Sequence, residues 1–326
     1  MTIANILRYG SAAPLPEEIP LRAGPLSLIY ENGDLRYICL GEREIIRRMY
    51  IALRDHNWGT VPNILTNVRM EIGDDSFCIE YQVTNQRDEI NFGWSAKITG
   101  SIDGTINFTF EGEALTSFRR NRLGFCILHP IQECAGAACT LEHADGSRTV
   151  TRFPQLVAPQ LYVNGLPTPH FPFANLRTMT HQVSPDVWAE LHFDGEVFEL
   201  EDQRNWIDAS FKTYCTPLAL PFPIEIPQGT RISQQVRLGL LGQAPAIQPT
   251  TSRDVQLSWT EEATDVRLPP LGISAAGHCD PLTEREIERL RALRLDHLRL
   301  ELNLSQDGWR LRLEQVNREA QALDLP

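Results

Sequence analysis

The sequence predicts a mainly β protein: a large antiparallel β-sandwich over residues 1–242, then an incomplete α/β segment over 268–326 that resembles the start of a (β/α)8 barrel. Three observations lead there. Short apolar runs bounded by turn residues dominate from about Pro25 to Leu240. Helical periodicity is nearly absent from the same stretch. After residue 268 the order changes to strand, helix, strand, helix, the sequence of a parallel unit.

Taken in order, "LSLIYENGDLRYICLGERE" reads as a hairpin whose turn is "ENGD". "EREIIRRMYIALR" suits either a helix or a strand, because Ile45-Ile46 and Tyr50-Ile51 fit both patterns. "SFCIEYQVTN", "FGWSAKITGSIDGTINFTFEGEA", "RLGFCILHP" and "CTLEHADGSRTVTRF" continue the meander, with turns at Asp103-Gly104 and Asp145-Gly146. "WAELHFDGEVFELED" predicts another hairpin at Asp194-Gly195. More than two hundred such residues imply two packed sheets.

"GQAPAIQPTTSRD" has linker composition, so 243–267 is read as linker and connecting strand. "LPPLGIS" is then a short strand. "DPLTEREIERLRALRL" is a helix with a capping box from Thr283 to Glu286, "HLRLELNL" a strand, and "GWRLRLEQVNREAQAL" a second helix. A full barrel needs about 250 residues and only about 60 remain, so the chain is expected to be a fragment of a longer protein or a truncated gene product.

Bulk properties narrow the function. At 326 residues, 42% hydrophobic and 22% charged, the composition is that of an ordinary globular protein. The net charge of −12 and scattered basic residues exclude a nucleic-acid partner. No apolar run approaches the roughly 18 residues of a membrane span, and the N-terminus lacks a signal-peptide pattern. Seven irregularly spaced cysteines make no disulfide framework, so a cytoplasmic location is expected. Arginine outnumbers lysine 28 to 2, as in a GC-rich genome, and one of the two lysines is Lys212.

Three polar clusters carry candidate chemistry. The first is "RDHNWGT", containing Trp58. The second is "FRRNRLGFCILHP", with Arg120, Asn121 and Arg122, and with His129 at the expected strand exit. The third is "EDQRNWIDASFKTY", Glu201 to Tyr214. As an extended strand it puts Asp202, Arg204, Trp206 and Asp208 on one face, continued by Ser210, Lys212 and Tyr214, with Glu201, Gln203 and Asn205 on the other. A turn near "RNW" would break that alternation. Spacing leaves two readings open: a site with base, cation and stacking surface, or an ion-pair ladder on a half-exposed strand. His129, Cys134 and Cys139 lack the tight pairs of a zinc site, and His278-Cys279 is no better, so no metal is expected. The absence of a phosphate loop, a nucleophile elbow and a dinucleotide fingerprint leaves no cofactor either.

Together, "LRAGPLSLIYENGDLRYICLGEREIIR", "RDHNWGT", "NRLGFCILHP", "RFPQLVAPQ" and "LEDQRNWIDASFKTYCTPLALPFP" resemble the D-apionate lactonase family of bacterial sugar-acid catabolism. The resemblance implies a galactose-mutarotase-like supersandwich and a longer parent protein. It also implies a small-molecule sugar lactone or sugar acid as partner, and hydrolysis of a five-membered sugar lactone to its open acid. On that footing Asp202 or Glu201 is the expected general base, with His129 assisting. Arg204 and Lys212 are expected to hold the carbonyl oxygen or the product carboxylate. Asn205, Trp206, Asp208 and Trp58 are expected to contact the polyol, and Arg120, Asn121 and Arg122 to add positive potential. Two other functions fit the sequence. One is a non-catalytic carbohydrate-binding or assembly domain, with catalysis at barrel-strand residues such as Glu301 or Asn303. The other is a mutarotase-like epimerase.

Overall fold

The structure, a computed structural model, describes residues 3–10, 12–157, 162–163, 166–167, 172–242, 258, 268–276, 280–305 and 307–325. It divides into two compact units, Met1–Arg253 and Asp254–Pro326. Apart from Ser258, the expected linker over 243–267 lies outside the described residues, as does His278-Cys279.

The first unit opens with helix α1 (Ile3–Tyr9) and then runs almost entirely as strand. Strands β1 (Glu18–Ala23), β2 (Leu26–Glu31), β3 (Asp34–Leu40), β4 (Arg43–Asp55) and β5 (Thr60–Val61) come first. The "ENGD" turn behaves as its residues dictate. Glu31 pairs with Asp34 across a two-residue turn, and Asn32 and Gly33 both take positive φ, 48° and 92°. The ambiguous "EREIIRRMYIALR" is strand β4, because Ile45, Ile46, Met49, Ile51 and Leu53 all enter the core. Next come β6 (Ile64–Ile72), β7 (Phe77–Arg87), β8 (Ile90–Gly100), β9 (Ile106–Ala114) and β10 (Phe118–Pro130). After the short helix α2 (Ile131–Cys134) follow β11 (Ala138–His143), β12 (Arg148–Arg152), β13 (Tyr162–Val163) and β14 (Leu166–Pro167). The unit closes with β15 (Phe173–Ser184), β16 (Val187–Asp194), β17 (Phe198–Asp202), β18 (Ser210–Tyr214), β19 (Ile224–Ile226) and β20 (Arg231–Gly242).

Among the described residues every strand pairing in this unit is antiparallel. One layer runs β1-β2-β3-β4-β10-β18-β17. The other runs β6-β7-β8-β9-β20-β16-β15-β11-β12. Strand β15 also pairs with β17, so the layers share an edge. The Asp194-Gly195 dipeptide is therefore not the expected hairpin. Strands β16 and β17 do not pair with each other but follow one another along the same edge of β15, opposite β11, and the turn carries the chain between layers.

The layers meet through aromatic side chains delivered by period-two alternation. Phe108 and Phe110 of β9 pack edge-on against Phe125 of β10 at 5.0 and 5.7 Å. Trp94 and Tyr81 extend the row, and Tyr81 reaches Tyr30 of the facing layer at 6.4 Å. Such contacts add about 0.5–1.5 kcal/mol per pair to the area buried.

The second unit has strand β21 (Gly272–Ser274), helix α3 (Glu284–Ala292), strand β22 (His297–Arg299) and helix α4 (Trp309–Ala322). The two strands pair in parallel, Gly272 with His297 and Ser274 with Arg299. Helix α3 starts in the expected capping box, with the Thr283 side chain accepting from the Glu286 backbone and Glu286 returning to Thr283. "HLRLELNL" stays extended only through Arg299, shorter than its leucine alternation suggested. Among the described residues no helix is long and apolar enough to cross a membrane.

Phe125→Ala should lower stability by about 3–5 kcal/mol, because its ring is fully buried between the layers. Urea unfolding followed by circular dichroism measures this; a loss below about 1 kcal/mol would show that the aromatic row does not hold the layers together.

Candidate functional site

The outer face of the first layer carries a cleft of about 390 Å³ between β4, β10, β17 and β18, a size suited to a small molecule. Register decides which side chains reach it. Glu201 lies opposite Lys212, and Glu199 opposite Tyr214. Tyr214 lies opposite Cys126 on β10, and Arg122 opposite Arg54 on β4. Glu201, Lys212, Tyr214, Cys126, Arg122 and Arg54 all line the cleft, together with Trp58, Gln203 and Trp206.

Two short segments bring in the tryptophans. "RDHNWGT" is a loop tied to Asp55, whose carboxylate accepts from the backbones of Asn57 and Gly59 at 2.8 and 2.7 Å and from Arg87 at 2.9 Å. Gly59 is required there, since a Cβ would sit 2.5 Å from the Asp55 carboxylate. The loop presents Trp58 against the edge of Phe222, with the Arg122 guanidinium over both rings at 5.4 and 4.9 Å. Trp206 ends the other segment, a single 3-10 turn over Gln203–Trp206.

That turn overturns the extended reading of "EDQRNWIDASFKTY". Asp202, Arg204, Trp206 and Asp208 do not share a face. Asp202 caps the turn by accepting from the Arg204 backbone at 3.2 Å, and its carboxylate also takes the Arg204 guanidinium at 2.7 and 2.9 Å. Arg204 in turn donates to the carbonyls of Gln155 and Pro154 at 2.9 and 3.1 Å, and its guanidinium lies over Phe211. Asn205 donates to the Asp202 carbonyl, and Asp208 accepts from Ser210. Asp202, Arg204, Asn205 and Asp208 thus hold the turn and do not line the cleft.

Glu201 faces the other way. Its carboxylate lies 2.7 Å from the Lys212 ammonium and accepts from Gln203 at 2.9 Å. The ammonium also sits 5.0 Å from the centre of the Tyr214 ring. Beneath them Glu199, absent from the sequence candidates, accepts from Tyr214 at 2.5 Å and from the Leu218 backbone at 2.6 Å. Burial pushes the Glu199 carboxyl and the Tyr214 hydroxyl above their ordinary values. Arg54, Cys126, Tyr214 and Glu199 had no assigned role in the sequence reading. Only strand register reveals them, as neighbours of Glu201, Lys212 and Arg122 on one face.

The remaining candidates separate. His129 is not at an open strand exit but inside the sandwich, fully buried and hydrogen-bonded to Thr213 at 2.8 Å. Its ring packs against Phe153 and His181 at 5.9 and 6.0 Å. The "RRNR" run also divides. A bulge between Arg120 and Arg122 reverses which face successive residues take. Arg120 keeps the parity of the core residue Phe118 and donates to Thr216, Asn121 is buried, and Arg122 enters the cleft.

An all-β sandwich with a polar, tryptophan-flanked cleft on one outer face is the class of protein these features define. Residues 6–243 match the D-apionate lactonase N-terminal domain family, and the chain belongs to that family. It is 35% identical to a D-apionate lactonase of Brucella anthropi over 268 residues, covering 82% of this chain and 42% of that protein. The chain therefore spans about two fifths of that relative's length. Among solved structures it is similar to galactose 1-epimerase from Lactobacillus acidophilus NCFM, with TM-score 0.40, 9% identity, 69% of this chain and 94% of that chain covered. It is also similar to the alpha-galactosidase from Lactobacillus brevis, with TM-score 0.44, 11% identity, 96% of this chain and 54% of that one.

Burial holds the His129 imidazole well below its ordinary range and brings His181 down to about 4. Unfolded, both would take up a proton near pH ~6.5, so their contribution to stability is full above that pH and is lost as pH falls toward 4. Asp34, whose burial raises its carboxyl to about 6, contributes with the opposite sign. In an NMR titration, the His129 and His181 rings should stay neutral at pH ~5. Ordinary titration of both would place them outside the core.

Proposed function

We propose that this chain binds a sugar lactone in the sandwich cleft and supports its hydrolysis to the open sugar acid, with Glu201 as general base. The observation that carries this reading is the Glu201–Lys212 ion pair, 2.7 Å long, in the wall of a 390 Å³ cleft flanked by Trp58 and Trp206. Family membership supplies the substrate class, since the Brucella anthropi relative is a D-apionate lactonase.

The chemistry runs through few groups. A water beside Glu201 attacks the lactone carbonyl carbon and gives its proton to the carboxylate. The new C–O bond leaves an oxyanion, which the Lys212 ammonium stabilises from the adjacent strand. When the ring C–O bond breaks, the departing alkoxide recovers the proton from Glu201, leaving the acid and a free hydroxyl. Trp58 and Trp206, each about half exposed, offer apolar faces to the sugar ring. Asp202, Arg204, Asn205 and Asp208 act by holding the turn that sets Glu201 and Trp206 apart. His129 has no role in this scheme.

A second reading draws on the other unit. Its order of strand, helix, strand and helix, with the two strands parallel, is what the opening of a (β/α)8 barrel would require. The C-terminal ends of β21 and β22 border a cleft of about 700 Å³ lined by Ser274, Glu301, Asn303, Asp307, Trp309 and Arg312. In that case the sandwich binds sugar and the chemistry belongs to the strand ends.

Lactone opening by the 326-residue chain, followed by pH-stat, tests both. Glu201→Gln should cut turnover about 100- to 1000-fold with the fold intact. Asp202→Asn should leave turnover per folded molecule largely unchanged but lower stability by about 3 kcal/mol, through the broken ion pair. Full turnover in Glu201→Gln would sink the first reading. Lactone binding without turnover in the parent chain would favour the second.

A further inference from the structure

The inner end of the cleft holds two arginines that the reading above leaves without a task. Arg54 and Arg122 lie directly opposite each other on β4 and β10, and both line the cleft. Like charges facing across a strand pair are destabilising unless something lies between them. Among the described residues neither is within ion-pairing distance of a carboxylate. Arg122 donates only to the carbonyls of Asn121 and Pro217, at 2.6 and 3.3 Å, and Arg54 to the Thr60 hydroxyl. Arg122 is only 5% exposed, and its buried Nε has no partner.

Glu199 and Glu201 act on the Arg122 charge through space, but neither hydrogen-bonds it. Glu199 serves Tyr214 and Leu218, and Glu201 serves Lys212 and Gln203. A guanidinium taken out of water with no carboxylate hydrogen-bonded to it is left under-satisfied. The Trp58 and Phe222 rings stack on it and orient it, but they supply no hydrogen-bond acceptor. This positive end sits in a chain of net charge −12, so the cleft is locally opposite to the molecule that carries it.

We propose that Arg54 and Arg122 form a carboxylate subsite, so that the cleft binds an open-chain sugar acid more tightly than the uncharged lactone or polyol. This rests on the sandwich cleft being the sugar site. The acid carboxylate meets the planar guanidinium of Arg122 and the charge of Arg54. Its chain of hydroxyls then extends past Tyr214 and Lys212 toward Trp206. The ring-opened product thereby acquires a partner that the lactone does not use, and it competes with the next lactone for the cleft.

The test uses the full chain and four probes: ribonate, ribono-1,4-lactone, ribitol and inorganic phosphate. Binding is followed by calorimetry and by tryptophan emission from Trp58 and Trp206. Ribonate should bind at least about tenfold more tightly than ribitol or the lactone, and more tightly than phosphate. Raising salt from about 0.05 to about 0.5 M should shrink that advantage. Arg122→Gln and Arg54→Gln should each remove most of it, with thermal melting confirming the fold; because Arg54 is only half buried, that variant stands in if Arg122→Gln does not fold.

Ribonate binding no better than ribitol would overturn the subsite while leaving the lactone reading intact. Phosphate binding as tightly as ribonate would overturn it in favour of an adventitious ion only. Tight ribonate binding by a chain that never opens the lactone would uphold the subsite and remove the catalytic reading. Absence of binding by every probe would remove both.

Discussion

Period-two alternation along β10 is the constraint on which the molecule depends. This 13-residue strand pairs with β4 on one edge and with β18 and β19 on the other, so it spans the middle of its layer. Beyond the bulge at Asn121, Leu123, Phe125, Ile127 and His129 point into the sandwich, and Arg122 and Cys126 point to the cleft. A one-residue slip would exchange those sets, placing a guanidinium among phenylalanine rings. Core and cleft are thus two faces of one decision about register.

The charge-rich segment after β17 shows how that decision is shared between support and site. Asp202 and Arg204 bind each other, and Arg204 also donates to the backbone carbonyls of Pro154 and Gln155, so the pair holds a turn against a neighbouring loop. Glu201, one residue earlier, keeps strand geometry and therefore faces Lys212 across β18. One peptide unit separates a structural carboxylate from one lining the cleft.

Much of the fold was legible in the sequence, because turn dipeptides and alternating apolar residues report local geometry directly. "ENGD" delivered its hairpin, and "TEREIE" its capping box. "HFDGEV" did not, because a turn signal does not say which strands it joins, and β15 took both partners. The site was legible only as a neighbourhood. Glu201, Lys212, Trp206, Arg122 and Trp58 converge, but their grouping depends on pairings between strands up to about ninety positions apart. His129 was expected at a strand exit because a proline follows it; long-range packing by Phe153 and His181 puts its ring inside the sandwich. Arg120 and Arg122 looked alike until a bulge turned them to opposite faces.

Lysine scarcity has a practical side. Only Lys97 and Lys212 carry side-chain amines, and the two could hardly be placed more differently. Lys97 is open on the outer face of the other layer beside Glu80, its side chain 56% exposed, whereas Lys212 is held between Glu201 and the Tyr214 ring with 22% exposed. A reagent that acylates amines meets one bystander and one reporter. The cleft thus carries its own chemical handle, and its occupancy can be followed by the mass of a single tryptic boundary.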